Sequence, residues 1–443
     1  MEQDHTESVN KDLFSFLDNS PNAFWAVKNM CSILDQAGLA RLSEGAKWNL
    51  EAGRGYYVTR NDSAVIAFRI PKADYTGFQI MASHCDSPMF KIKANAEIAV
   101  DSQYVKLNVE KYGGMICAPW LDRPLSVAGR VIVRTEDGIE TRLINIDRDL
   151  CIIPNMAIHM NREVNDGYKF NAQADMLPLF CEKGDETDAF MKLIASEAGV
   201  PAEDILDTDL FLYNRMKASV FGLNNEFIAS GRLDDLQCAF ASLQGFIQAS
   251  PVDSVAVHCV FDNEEVGSGS KQGAAGTFLK DTLHRISAAM GKTDEEYMMG
   301  LASSFLVSAD NAHAVHPNHA EKSDPTNRAY LNKGIVIKYS ANQKYTTDAV
   351  SGAVMRSICE RAGVPYQTFT NRSDMIGGST LGNISQSQVS LNTVDIGLPQ
   401  LAMHSPYETA GANDTAYLIR AAKVLFSSSI EAAGDGSYKL RFS

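Results

Sequence analysis

The sequence contains no pair of cysteines at the CxxC spacing, although it has eight cysteines in 443 residues. A closed zinc finger needs such pairs, so this class of metal site is excluded. Several of the cysteines lie inside apolar stretches, which is typical of buried, reduced thiols and not of a disulfide framework. We therefore expect a cytoplasmic protein without disulfide bonds.

Positive charge is also scarce. Lys and Arg total 40 against 54 Asp and Glu, which gives a net charge of −14. Because an excess of Lys and Arg is needed to bind phosphates, nucleic acid is not expected as the main partner. No apolar run approaches the ~20 residues of a membrane-spanning helix, so no membrane partner is expected. The polar, acidic start of the sequence predicts neither a signal peptide nor a basic transit peptide.

Two common catalytic motifs are missing as well. The sequence has no GxSxG elbow, and the segment GSGSK at 267–271 does not complete a phosphate-binding P-loop. What is present is an α/β pattern in residues 1–88 and 218–443. Between them, residues 89–217 form short alternating strands separated by Gly- and Pro-rich segments. This pattern predicts an α/β domain interrupted by an inserted β-rich domain.

The stretch Ser254–Ser268, SVAVHCVFDNEEVGS, combines an apolar run with adjacent carboxylates. Residues 255–261 predict a short buried β-strand. Glu264 and Glu265 follow it, where their mutual repulsion and partial burial both disfavour ionisation. A surface turn would also accommodate two neighbouring glutamates, so this stretch alone does not distinguish a turn from a functional site.

Other histidines and acidic residues stand at comparable places, after an apolar stretch or at the start of a predicted helix. The whole set is His84, Asp86, Asp234, Glu264, Glu265, Asp310 and His404. In open α/β sheets, functional groups gather beyond the carboxyl ends of the strands. Two imidazoles with several carboxylates are typical of a catalytic zinc site, and two metal ions would need a bridging carboxylate. Singly, each residue also has a structural explanation, such as a favourable helix dipole for Asp234.

Six motifs in order resemble those of the aspartyl aminopeptidase family of di-zinc metallopeptidases. They are HCDSP (84–88), RLDDL (232–236), DNEEVGS (262–268), SADNAHAVHPNH (308–319), NQKY (342–345) and TVDIGLPQLAMHS (393–405). The inserted region resembles the family too, through YGG…WLDRPLSVAGRV and IPNMAIHMNR. The resemblance implies a phosphorylase/hydrolase-like α/β zinc peptidase domain with a central mixed sheet. It also implies that the β-rich insertion at 89–217 is a dimerisation domain and that the protein is a homo-oligomer, a dodecamer built from dimers.

The resemblance further implies a role for each matching residue. His84 and Asp310 would bind one zinc ion, Glu265 and His404 would bind the other, and Asp234 would bridge them, with Co²⁺ or Mn²⁺ as alternative ions. Asp86 would orient His84, and Glu264 would be the general base that activates the bridging water. His159 would reach the active site of a neighbouring subunit and act there as a catalytic residue that helps hold the tetrahedral intermediate. His313 and Lys338 would lie near the substrate, a peptide with a free N-terminus.

Several alternatives stay open at the level of sequence. Lys338 would be the cation for an acidic N-terminal side chain, or its ammonium would simply extend from a strand into solvent. His159 would otherwise be a partly buried imidazole with ordinary hydrogen bonds. A di-zinc deacylase or carboxypeptidase-type hydrolase would use the same ligands, and an assembly protein with a relict metal site is the non-enzymatic alternative. RLDDL replaces the more usual RLDNL, which adds the charge of Asp235 beside Asp234.

Overall fold

The computed structural model describes residues 2–185, 187–375 and 377–442. Its helices are α1 (Glu2–Asp18), α2 (Ala23–Gln36), α3 (Ala172–Asp175), α4 (Ala189–Ala198), α5 (Leu233–Gln248), α6 (Phe278–Ala289), α7 (Asp294–Ala302), α8 (Ala349–Ala362), α9 (Leu381–Gln386) and α10 (Asp414–Ser427). Within these ranges, no helix combines the length and the apolarity that crossing a bilayer requires.

The strands form three large sheets and one hairpin. They are β1 (Ala40–Leu42), β2 (Gly55–Arg60), β3 (Ala64–Arg69), β4 (Phe78–His84), β5 (Met89–Val100), β6 (Tyr104–Tyr112), β7 (Leu125–Thr135), β8 (Gly138–Asn145), β9 (Leu179–Glu182), β10 (Ile205–Asn214), β11 (Ser219–Phe221), β12 (Phe227–Ser230), β13 (Val255–Phe261), β14 (Phe305–Ala309), β15 (Ala312–His313), β16 (Ile335–Lys338), β17 (Tyr366–Phe369), β18 (Asn392–Gly397), β19 (Pro399–Leu401), β20 (Glu408–Gly411), β21 (Ser428–Gly434) and β22 (Ser437–Phe442).

The central sheet is mixed and has nine strands in the order β1-β2-β3-β13-β4-β14-β18-β16-β17. Its middle strands β13, β4, β14 and β18 are parallel. Most residues of these four strands are buried, as expected for strands covered by helices on both faces. Because they are parallel, the strands end at one edge, where the chain continues from β4, β13 and β14 into the predicted site residues.

Apolar side chains pack on both faces of the central sheet. On one face, Leu236 and Leu243 of α5 join Leu425 of α10 in a core that α1, α2 and α8 extend. On the other face, Phe278 and Ile286 of α6 pack with the remaining side chains of the strands. This α/β/α layering confirms the predicted fold class with its central mixed sheet.

The residues between β4 and α5 contain a separate antiparallel sheet with the order β8-β7-β10-β5-β6-β9. This sheet has its own core, which includes Phe90, Trp120 and Phe190. This sheet contacts the part of the chain that contains the central sheet. In one of these contacts, the indole N–H of Trp25 donates to the Ile144 carbonyl oxygen at 3.0 Å. We refer to this six-stranded sheet and its connections as the inserted sheet.

The start of α5 departs from the sequence expectation. Asp234 has φ −82° and ψ 108°, and Asp235 has φ −119° and ψ 21°, so neither residue has helical geometry. The interpretation of Asp234 as an ordinary acidic residue in a regular first helical turn is therefore wrong. The irregular backbone turns the Asp234 side chain toward the edge where the central strands end.

Candidate metal centre

His84 ends β4 and is fully enclosed, with 1% of its surface exposed. Its Nδ1 lies 3.0 Å from the carbonyl oxygen of Asp86. Because a carbonyl oxygen only accepts hydrogen bonds, Nδ1 carries a proton, which makes Nε2 the nitrogen that would bind a metal ion. Nε2 lies 3.5 Å from Asp234 Oδ1 and 4.0 Å from Asp310 Oδ1, so it faces two carboxylates.

Asp234 lies between the two predicted histidines. Its Oδ1 faces His84, and its Oδ2 lies 3.5 Å from Nε2 of His404. The Asp234 peptide N–H donates to Glu408 Oε2 at 3.0 Å, and the Ser87 hydroxyl donates to the Asp234 carbonyl oxygen at 2.8 Å. These backbone bonds fix the residue, and its two carboxylate oxygens point in two directions.

Glu264 and Glu265 follow β13 in a single helical turn, Glu264–Val266. Their peptide N–H groups both donate to the carboxylate of Asp86, each at 3.1 Å. Oε2 of Glu265 lies 3.3 Å from His404 Nε2. Asp86 thus anchors the backbone of both glutamates as well as facing the His84 imidazole.

The potential ligand atoms form compact groups whose members all lie within 4.8 Å of one another. One group is His84, Asp234 and Asp310, a second is Asp234, Glu265 and His404, and a third is His84, Glu264 and Glu265. The first two groups share Asp234, as a bridging carboxylate requires. The third places a carboxylate oxygen of Glu264 within 4.8 Å of His84 and Glu265.

The donor set fits zinc. Zinc binds imidazole nitrogen and carboxylate oxygen at about 2.0–2.2 Å, so two tetrahedral ligands of one ion stand about 3.4 Å apart. The separations of 3.3–4.0 Å between these nitrogens and oxygens are close to that value. Among the described residues, Asp234 Oδ1 and Glu265 Oε1 are buried without a hydrogen-bond partner. Buried carboxylate oxygens of this kind are stabilised by a cation.

The clustered negative charge shifts the pKa values of the site. Burial raises the pKa of Glu264 to about 7, and Asp310 contributes to the shift. Burial likewise raises the pKa of Asp310 to about 6. Burial alone would lower the pKa of His404, but Asp234 and Glu265 outweigh it and raise this pKa to about 10. The site therefore stabilises positive charge, which bound metal ions would supply.

Glu408 is a site residue that sequence reasoning missed. It is buried, and its two oxygens accept hydrogen bonds from the peptide N–H groups of Asp234 and His404, at 3.0 and 2.8 Å. Burial raises the pKa of its carboxyl to about 8. Its one sequence signal is an acidic residue four positions after His404, which alone does not indicate a function.

Lys338 and His313 lie close to the same edge of the sheet. The Lys338 side chain is 3% exposed, so the interpretation that its ammonium extends into solvent is wrong. Its Nζ donates to the Asn311 carbonyl oxygen at 2.9 Å and lies 4.0 Å from Asp310 Oδ1. His313 is exposed in β15, and its ring lies 6.4 Å from that of Phe369.

His159 lies apart from these residues. It is exposed in a turn of the inserted region, so the interpretation of a partly buried imidazole is wrong. Among the described residues, no hydrogen bond, ion pair or ring contact joins it to the site within one protomer. The neighbouring side chains of Met156, Ile158 and Met160 are also exposed, and Met160 is 76% exposed.

Comparisons with curated proteins give a consistent result. The family model described as aminopeptidase I zinc metalloprotease (M18) matches residues 16–426. A probable M18 family aminopeptidase 2 from Clostridium acetobutylicum is 48% identical over 415 residues, which cover 92% of this chain and 96% of the relative. A protein of the same name from Clostridium novyi is 46% identical over 422 residues, covering 94% and 98%.

Solved structures agree with the sequence comparisons. A chain in the cryo-EM structure of the Ape4 and Nbr1 complex has a TM-score of 0.92 and 36% identity, over 95% of this chain and 86% of that chain. The S. cerevisiae mApe1 dodecamer has a TM-score of 0.83 and 25% identity, over 95% and 96%. The resemblance to aspartyl aminopeptidases is confirmed, because they are M18 peptidases. This chain belongs to the M18 family and is a zinc-dependent aminopeptidase.

Proposed function

We propose that the enzyme binds two zinc ions and uses them to remove the N-terminal residue of a peptide. His84 and Asp310 would hold one ion, Glu265 and His404 the other, and Asp234 would bridge them. One observation carries this assignment: the two oxygens of Asp234 lie 3.5 Å from the Nε2 atoms of two different histidines. A single-ion site would not need a carboxylate that faces two imidazoles.

We assign the proton transfers to Glu264. Zinc ions bound here would polarise the scissile carbonyl and lower the pKa of a bound water. Glu264 would take a proton from the attacking water and return it to the leaving nitrogen. Burial raises the pKa of Glu264 to about 7, which supports its role as the group that accepts the proton. Asp86 would keep Glu264 in place through the bond to its peptide N–H.

We further propose a preference for N-terminal Asp or Glu, with Lys338 as the cation that binds the acidic side chain. Lys338 is buried beside Asp310, so its charge acts in a medium of low dielectric constant where attraction is strong. Because the net charge of −14 repels acidic peptides, such a substrate needs a local cation. His313 would also lie near the substrate.

We place His159 in the active site of a neighbouring subunit. Its exposure, together with the exposed Met156, Ile158 and Met160 around it, favours burial of this turn against another protein surface. The inserted sheet, within an inserted domain at 89–217 between the catalytic parts 1–88 and 218–443, would then make the dimer contact. One solved relative is a dodecamer, and we propose the same assembly from dimers here. All eight cysteines are free thiols, which favours a reducing, cytoplasmic location.

Two measurements test these assignments together. Elemental analysis should give two zinc ions per chain, and peptides with a free N-terminus should be cleaved whereas their N-acetylated forms are not. Cleavage of the acetylated form at an equal rate would instead indicate a deacylase-type hydrolase with the same ligands. Values of kcat/KM for peptides with N-terminal Asp, Glu, Leu and Ala then decide the side-chain preference.

A further inference from the structure

The inserted sheet reaches the metal centre through the end of β6. The hydroxyl of Tyr112, the last residue of β6, donates to Asp86 Oδ2 at 2.7 Å and accepts from the Asn263 side-chain amide at 2.9 Å. Its ring packs edge-on against Phe211 of β10, with the ring centroids 5.7 Å apart. The hydroxyl thus makes two hydrogen bonds, and the contact with Phe211 holds the ring within the inserted sheet.

Asp86 links Tyr112 to the two glutamates of the metal centre. Besides the Tyr112 hydroxyl, its carboxylate accepts from the peptide N–H groups of Glu264 and Glu265. The same carboxylate also lies 3.4 Å from His84 Nδ1. Because a carboxylate offers about four acceptor positions, these donors together determine its orientation. Without the hydrogen bond from Tyr112, the Asp86 side chain would be free to rotate. The turn that carries Glu264 and Glu265 would then be held less firmly.

A second contact from the same segment reaches the other histidine. The carbonyl oxygen of Gly114 lies 2.8 Å from His404 Nδ1, which fixes the proton there and directs Nε2 toward Asp234 and Glu265. Gly113 has φ +76°, and a Cβ placed on it would lie 3.1 Å from Glu265 Cβ. The chain therefore approaches the metal centre closely at 113–114. Residues 112–114 thus contact both predicted ligand groups that share Asp234, through Asp86 on the His84 side and directly at His404 on the other side.

We propose that Tyr112 is a positioning residue through which the inserted sheet sets the orientation of the Glu264–Glu265 turn. This inference rests on the proposed function of the two glutamates. Residues that hold metal-ligating groups typically change metal affinity or activity about 10–100-fold when they are lost. The structure assigns such a role to a hydroxyl that lies outside the catalytic part of the chain.

Tyr112→Phe tests this proposal, since it removes one oxygen and keeps the packing against Phe211. Tyr213→Phe is the matched control: Tyr213 is a buried tyrosine of the same inserted sheet, but its hydroxyl donates to Asn145 Oδ1 at 2.8 Å, within that sheet. The measurements are zinc release into excess chelator, the visible absorption spectrum of the cobalt-substituted enzyme, kcat and KM. Thermal unfolding checks that both variants are folded.

We expect Tyr112→Phe to release zinc about 10–100-fold faster, to lower kcat by a similar factor with KM within about twofold, and to change the cobalt spectrum. Tyr213→Phe should leave all of these unchanged. Wild-type zinc release and spectrum in Tyr112→Phe would overturn the proposal, as would equal changes in both variants. Failure of the proposed function is distinguishable, because it would appear in the wild-type enzyme as a missing second zinc ion.

Discussion

Glu264→Gln is the most informative single substitution, because it separates the proton-transfer role of Glu264 from the metal-binding role of Glu265. The amide has nearly the size of the carboxylate and does not accept the proton of the attacking water. Glu264 belongs to neither of the two groups that share Asp234. We therefore expect the variant to keep both zinc ions and to lose turnover.

The expected loss of turnover follows from the proposed role of Glu264 as a general base. A positioned general base contributes about 10²–10⁴-fold to the rate, which corresponds to about 3–5 kcal/mol in the activation barrier. The peptide N–H of Glu264 stays bonded to Asp86, so the backbone of the turn should not move. The loss should appear in kcat with KM nearly unchanged, measured on a peptide with a free N-terminus alongside the zinc content of the same sample.

Glu265→Gln is the control, since this side chain lies 3.3 Å from His404 Nε2 and has a buried oxygen without a partner among the described residues. We expect it to lose zinc from the His404 side and activity together. The assignment would be refuted if Glu264→Gln lost one zinc ion, which would make Glu264 a ligand, or if it retained near-normal kcat.

Three further predictions concern specificity, assembly and stability. Lys338→Met should lower kcat/KM for peptides with N-terminal Asp or Glu by at least about tenfold more than for Leu, and an equal loss for all would refute the specificity role. His159→Ala subunits mixed with Glu264→Gln subunits should regain activity if His159 acts across the interface; no recovery in verified mixed oligomers would contradict this. Burial raises the pKa of Asp414 to about 7, above its unfolded value near 3.8. Between these two pH values the folded state therefore binds one proton more than the unfolded state. The free energy of unfolding falls by about 1.4 kcal/mol for each pH unit over this range. The destabilisation caused by Asp414→Asn, measured by thermal unfolding, should therefore shrink from pH 5 to pH 7 and be constant above about pH 8; a gap that widens would refute the sign.

The sequence predicted the part of the fold that apolar runs specify. The predicted strand at 255–261 is confirmed, and residues 305–309 form a second buried strand, because continuous apolar runs of this length are typical of strands buried between helices. Since these strands are parallel to β4, their ends lie at one edge of the sheet, and the structure brings His84, Asp234 and Asp310 together there. The role of each residue came from the resemblance to a known family.

The rest of the site depends on contacts between distant segments. Glu408 supports Asp234 across 174 positions, and the Gly114 carbonyl oxygen faces His404 across 290 positions. Such pairs leave no local pattern in a single sequence, because neither partner has an unusual neighbourhood of its own. The irregular backbone at Asp234 was missed for a related reason: an acidic residue before an apolar stripe also matches an ordinary helix start.

The central claim is that Asp234 bridges two zinc ions, and anomalous diffraction at the zinc absorption edge tests it most directly. We predict two peaks per chain about 3.5–4 Å apart, one beside His84 and Asp310 and the other beside Glu265 and His404, with Asp234 in contact with both. A single peak, or two peaks that do not share Asp234, would contradict the claim.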